Sequence, residues 1–127
     1  MDKKRFVDNN DGTITDNKTS LVWQQEDDGK RRNWDEANEY AKGLELGGYS
    51  DWRLPTVAEL VSIVDYSQYN PAIDTAFFPD TKFSYYWAGT TNAINTDYAY
   101  DVYFSDGYMG SSSKSGNGYV RCVRDGE

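Results

Sequence analysis

Few residues in this chain could do covalent chemistry. It has no His and a single Cys, Cys122. No imidazole stands ready to activate a Ser or Cys nucleophile, and no disulfide can close within the chain. Cys122 alternates with Arg121 and Val123 in a strand-like run, the setting of a small buried apolar residue. The acidic series Asp8, Asn10, Asp11 and Asp16 invites comparison with a calcium loop. The match is poor, because Gly12 falls one place early and the closing bidentate Glu is missing. Turn chemistry accounts for these residues, and neither a metal nor a cofactor is expected. Carboxylate pairs exist, but the sequence alone does not say which of them meet.

What remains is the chemistry of recognition. Between Ser84 and Tyr119 lie seven Tyr, six Ser, five Gly, three Asn and three Asp. Recognition loops use this mixture. Tyr gives a large contact area at small entropic cost, and Ser, Gly and Asn give adaptable hydrogen bonds. The segment "SSSKSGNG" reads like a linker, yet strand-like residues stand on both sides of it: Val102, Tyr103 and Phe104 before, Val120, Cys122 and Val123 after.

The elements that must hold this material can be read in order. "RFVDNNDGTITDNKTSLVW" reads as β structure with tight turns at Asn10-Asp11-Gly12 and Asp16-Asn17-Lys18. Asn33 caps a helix, with Glu36 completing a capping box. Trp34, Ala37, Ala41 and Leu44 recur on its apolar face, and Gly47-Gly48 stops it. Thr56 caps a second helix, with Glu59 in the box position and Val57, Leu60, Val61 and Val64 on its apolar face. A long irregular section follows, pinned by Ile73, Phe77 and Phe78. From Tyr85 the chain returns to antiparallel β. The order predicts an α+β domain over residues 1–127.

Composition narrows the partners. The formal charge of −8 opposes binding to a phosphate backbone and docking on anionic membrane. No apolar run is long enough to span a bilayer. Met1 is followed by "DKKRFVDNNDG", in which no signal peptide is visible.

At "GYSDWRLPTVAELVSIVD" (48–65) the sequence resembles the Legionella collagen-like protein C-terminal domain family. "RFVDNNDGTITDNKTSLVWQ" (5–24), "WDEANEYAKGL" (34–44), "YYWAGTT" (85–91) and "YVRCVR" (119–124) carry the same resemblance over almost the whole chain. The family looks like a C-type-lectin-like fold whose late, loop-rich face binds ligands without catalysis. The resemblance therefore implies a protein or glycan ligand and a secreted domain or one placed on a virion or cell surface. Some relatives are variable proteins of diversity-generating retroelements. In those, adenine rewriting turns Asn codons into codons for Tyr, Ser, Asp, Thr, Ile or Gly.

Within that frame, Trp52 and Leu54 are expected core anchors, and Trp87 fills the core where the late strands begin. Arg53 is expected to pair with Asp51, partly buried. Val102 and Phe104 face inward with Met109, and Tyr100 is half buried. Asp101, Tyr103, Ser105, Tyr108 and Gly110 face outward. The candidate ligand-binding face comprises Asn92, Ile94, Thr96, Asp97, Tyr98, Tyr100, Asp101, Tyr103, Ser105, Tyr108, Gly110, Ser111, Ser112, Ser113, Gly116 and Asn117. Lys114 stands there against Asp97, Asp101 and Asp106, which disfavours sulfated glycans. A diversified binding module is the leading reading, and an undiversified polysaccharide adhesin is the alternative. An enzyme related to formylglycine-generating enzymes is disfavoured, since those rely on paired cysteines.

Overall fold

A computed structural model describes residues 4–126. Residues 1–3, at the head of the basic N-terminal stretch, and residue 127 lie outside the described residues. Three short strands open the fold: β1 (Phe6–Asp8), β2 (Thr13–Asp16) and β3 (Leu21–Gln24). Helices α1 (Trp34–Gly43) and α2 (Val57–Ser62) follow. Then come β4 (Tyr85–Thr91), β5 (Tyr98–Tyr103), β6 (Tyr108–Ser113) and β7 (Val123–Asp125). The α+β class expected from the sequence is what the chain adopts. Its strands form two antiparallel sheets, one in the order β1-β2-β3-β7 and one in the order β4-β5-β6.

Local chemistry explains the boundaries. Asp8 accepts the Asn10 N–H at 2.8 Å and Asp11 accepts the Thr13 N–H at 3.0 Å, so the acidic residues serve the first turn. Both capping boxes are present, Asn33 with Glu36 and Thr56 with Glu59. Helix α1 stops earlier than expected. Gly43 is its last residue and Leu44 its C-cap, so Gly47-Gly48 belong to the following loop. Helix α2 ends at Ser62, which leaves Val64 past its C-terminus, although Val64 still packs on the core.

Two apolar clusters sit on opposite sides of the β4-β5-β6 sheet. Tyr86, Val102 and Phe104 join Ile14, Trp23, Leu60, Ile73 and Phe78 in one. Trp87, Ala99, Val120 and Cys122 join Ala37, Ala41, Trp52 and Leu54 in the other. The long section 65–84 is tied to the sheet end, with Asn70 N–H on Ser105 O and Ala72 N–H on Phe104 O, both at 2.8 Å. Ile73 and Phe78 are buried, and Phe77 packs beside them, as the sequence suggested.

Arg53 is a correction. Asp51 turns away to Arg124, at 2.6 Å. Arg53 instead grips Glu59 with two bonds of 2.8 and 3.0 Å and reaches Asp125 at 2.9 Å. Its backbone pairs with Val123 in both directions. One side chain thereby joins the Trp52–Leu54 segment, the α2 cap and β7.

Arg121 went unread in the sequence. It is 1 % exposed and donates to the carbonyls of Gln24 and Gln25 and to Thr81 Oγ1. Val120, Cys122 and Val123 are also buried. A wholly buried run shows no alternation, so the pattern could not place the Arg.

Candidate functional site

The late sheet is built by register. Tyr85 pairs with Tyr103 and Trp87 with Asp101 between β4 and β5. Across β5 and β6, Tyr103 pairs with Tyr108, Asp101 with Gly110, Ala99 with Ser112 and Tyr98 with Ser113. Side chains on paired positions share a face. One face therefore carries Tyr85, Trp87, Asp101, Tyr103, Tyr108, Gly110 and Ser112. The rings of Tyr85 and Tyr103 lie 5.3 Å apart, and those of Tyr103 and Tyr108 6.1 Å apart.

The predicted residues divide between the two ends of this sheet. At one end, Asn92 to Asp97 form a tight loop in which Asn92 Oδ1 accepts the Ile94 N–H at 3.0 Å and Asn95 Oδ1 accepts the Asp97 N–H at 3.2 Å. Lys114 N–H donates to Asp97 O at 2.9 Å, which brings the Ser111–Asn117 stretch beside the loop. Ile94 is 98 % exposed there. Thr96, Asp97, Tyr98, Ser111 and Asn117 are exposed as well, while Asn92, Ser113 and Gly116 are half-buried. At the other end, Tyr103, Ser105, Asp106 and Tyr108 line a recess of about 200 Å³. Tyr108 is exposed there, and Tyr103 and Ser105 are half-buried. Tyr100 is half-buried and rests on the apolar core, as expected.

Three placements differ from the sequence reading. Met109, expected inside, is 48 % exposed, because β6 is an edge strand and its far side carries no layer. Ser111 to Ser113 belong to β6 itself, and the rest of the linker-like run is clamped. Arg32 and Gly118 exchange backbone bonds of 2.8 Å, and Trp34 N–H donates to Lys114 O. The Lys114 ammonium lies 4.1 Å from the Trp34 ring centroid, a cation–π contact. A Cβ on Gly118 would stand 2.5 Å from the Tyr85 ring, so only glycine lets the loop close on the sheet.

The third difference is Asp101, which is fully buried and not outward. Alternation set the correct face, but the returning loop and the tyrosines cover that face at its centre. Asp101 Oδ2 accepts the Ser112 hydroxyl at 2.6 Å, while Oδ1 is buried without a hydrogen-bond partner. Burial raises its pKa above the usual carboxylate value, and the Ser112 bond opposes that only in part. Burial also raises the Tyr85 phenol, and the Asp101 charge adds to it.

A larger cleft lies away from this face, between residues 26–29 and 80–84, with a volume of about 760 Å³. Its polar groups already serve one another. The Asp27 carboxylate accepts from Lys82 at 3.1 Å and from the buried Tyr86 hydroxyl. Cys122 is buried, and its thiol is pushed up to about 12 by burial. At neutral pH it holds its proton and is a poor nucleophile.

The family model for the Lcl C-terminal domain matches residues 12–124. The chain belongs to that family. A search of curated proteins found no match.

Proposed function

We propose that this Lcl C-terminal domain is a non-catalytic binding module whose ligand face is formed by β5, β6 and the loops at both ends of their sheet. The observation that carries the reading is an exposed aromatic and apolar set along the β5–β6 edge of a clamped scaffold, with Tyr98 and Met109 on one side of the sheet and Tyr108 on the other. Tyr98, Tyr108, Met109 and Ile94 are 36, 64, 48 and 98 % exposed. Beneath them Trp87, Ala99, Val102 and Phe104 are completely buried. Aromatic anchors in a tolerant polar surround are the usual layout of a binding hot spot. A C-type-lectin-like scaffold, implied by the family, suits this division.

The ligand is a protein or a glycan, and the domain that binds it is secreted or stands on a virion or cell surface. The exposed positions Ile94, Thr96, Asp97, Tyr98, Tyr108, Ser111 and Asn117 are all residue types that adenine rewriting of Asn codons can reach. We read the face as diversified on that ground. A near-identical non-coding repeat of the late coding segment, differing only at adenines and next to a reverse transcriptase gene, is the expected finding in the DNA. Without such a repeat the diversified reading fails and the undiversified adhesin stands.

The binding reading has its own test. Ligands are selected on the immobilised chain from a displayed peptide library and from a glycan array. Tyr98→Ala on one side of the sheet, or Tyr108→Ala on the other, should weaken them by more than ~2 kcal/mol, as truncated hot spots do, and the double variant removes both. The melting temperature should stay near the parent value. Unchanged affinity would move the site elsewhere, to the cleft beside Phe83.

A further inference from the structure

We propose that Asp101 determines the specificity of this face by taking the guanidinium or ammonium group of a basic side chain, on a protein partner, into a space above Gly110 that opens when the Tyr108 ring turns outward. The inference rests on the binding reading above and names the ligand chemistry of the same face.

Three groups converge on one small space. A Cβ placed on Gly110 would stand 3.0 Å from Asp101 Oδ1, 3.2 Å from Tyr108 Cε2 and 3.4 Å from Tyr103 Cε1. Gly110 lies opposite Asp101 in the strand register. These approaches leave too little room even for a methyl group, so a ligand group reaches the oxygen only when the Tyr108 ring moves aside. Among the described residues nothing uses that oxygen. An ionised carboxylate is acceptor-only, with roughly four lone-pair sites on its two oxygens, and here Ser112 supplies the one hydrogen bond found.

Tyr108 controls access. It is 64 % exposed, so its ring can turn outward without disturbing the core, a motion of picoseconds to nanoseconds for an exposed side chain. Turned out, it uncovers Oδ1 and leaves the Tyr103 and Tyr85 rings as walls. Aromatic walls around a carboxylate suit a cation, which gains both a charge-assisted hydrogen bond and ring-face attraction. A sugar hydroxyl would satisfy the oxygen but leave the buried charge uncompensated. The surround agrees in sign. Asp97 and Asp106 are exposed at the two ends of the sheet, the chain carries −8 overall, and Lys114 is turned to Trp34. Such a field draws in basic partners.

The probe is the blocked tripeptide Gly-Arg-Gly, titrated into the full chain while backbone amide resonances are followed by NMR. The controls are the same peptide with citrulline, which keeps the shape and removes the charge, and a methyl glycoside. Saturable shifts centred on Gly110 and Ser112 are expected with arginine and not with citrulline. Asp101→Asn should weaken them roughly 10-fold, the loss typical of a hydrogen bond to a charged group. Gly110→Ala fills that space while leaving the carboxylate in place, and should weaken them too. It is the arbiter if Asp101→Asn loses its dispersed spectrum. Equal shifts with citrulline, shifts centred on residues 26–28, no shifts at all, or full binding by both variants would each overturn the proposal. Should the glycoside alone bind at Tyr98 and Tyr108, the cation inference fails while the binding face stands. If the selected ligands also ignore Tyr98 and Tyr108, the binding reading itself fails.

Discussion

Two carboxylates in this fold sit in opposite circumstances. Glu59 is held by Arg53 through a two-pronged pair and also accepts the Thr56 N–H of its own helix cap at 2.8 Å. The Arg53 bond is the main reason its pKa lies below the ordinary glutamate value. Asp101 is more deeply enclosed, has one hydroxyl donor and no cation, and its pKa is raised by burial. Glu59 ties its helix cap to Arg53, and both its oxygens are engaged. Asp101 meets only the Ser112 hydroxyl of the neighbouring strand, and among the described residues its other oxygen is left over. A buried carboxylate that costs stability and leaves an acceptor unused is a candidate functional position. The scaffold has orphans of its own, Trp23 Nε1 and Arg121 Nε. Trp23 is neutral and Arg121 makes three other hydrogen bonds, whereas Asp101 has the single bond from Ser112, so its oxygen is the least compensated of the three.

The largest effect that can test this contrast lies in the apolar scaffold. Trp87 is completely buried and its indole N–H donates to Arg32 O at 2.8 Å. Trp87→Ala should cost ~3–5 kcal/mol, the range for a buried aromatic cut to a methyl. Tyr98→Ala, on the face, should stay within ~0.5 kcal/mol. Denaturant midpoints decide. Similar losses in both would erase the division between scaffold and face.

The ionic clamp comes next. Arg53→Ala strands Glu59 and frees the Trp52–Leu54 segment from β7. Arg53 is more than a third exposed, so solvent screening limits the loss to about 1–2 kcal/mol. The sign with pH follows from linkage. The folded pKa of Glu59 is lowered, so the pair contributes fully above the unfolded value of 4.5. That contribution fades as pH falls through the folded value. The gap between parent and Arg53→Ala midpoints should therefore narrow on acidification. A gap that widened instead would break the clamp interpretation.

Much of the scaffold was legible because its signals are local. Both capping boxes place their residues three apart, and Trp52, Leu54, Trp87 and Cys122 declared burial by type and apolar context. The partners of Arg53 were not legible, since Asp125 lies 72 positions away and the adjacent Asp51 was the nearer guess. At the candidate site, alternation put Asp101 on the right face of β5 but could not foresee a cover. Tyr103 and Tyr108 crowd the carboxylate beside Gly110, and a loop that returns to Arg32 and Trp34 closes on the neighbouring Tyr85 through backbone bonds that leave no mark in side-chain pattern. Gly118 is the one local trace of it. A glycine between Asn117 and Tyr119 reads as linker until Tyr85 is found against it.

The smallest expected effect is the most direct test of the contrast. Asp101 has a folded pKa above its unfolded value of 3.8. Between the two values the folded state holds the extra proton, so folding becomes less favourable as pH rises across that window. Above it the penalty is constant. Asp101→Asn removes the charge and keeps the shape. Its amide oxygen can still accept the Ser112 hydroxyl, but its NH₂ group meets the same unpartnered space. The gain at neutral pH is therefore small, on the order of 0.5–1 kcal/mol. Urea midpoints of parent and variant, measured together from pH 3.5 to 7, give the difference free of Glu59 and Asp16, which titrate in both. The variant should match the parent at the acid end and exceed it at neutrality. A variant that was weaker at pH 7 would mean that the Asp101 charge stabilises the fold. Asp101 would then join Glu59 as a structural carboxylate, and the case for a ligand cation above Gly110 would lose its motive.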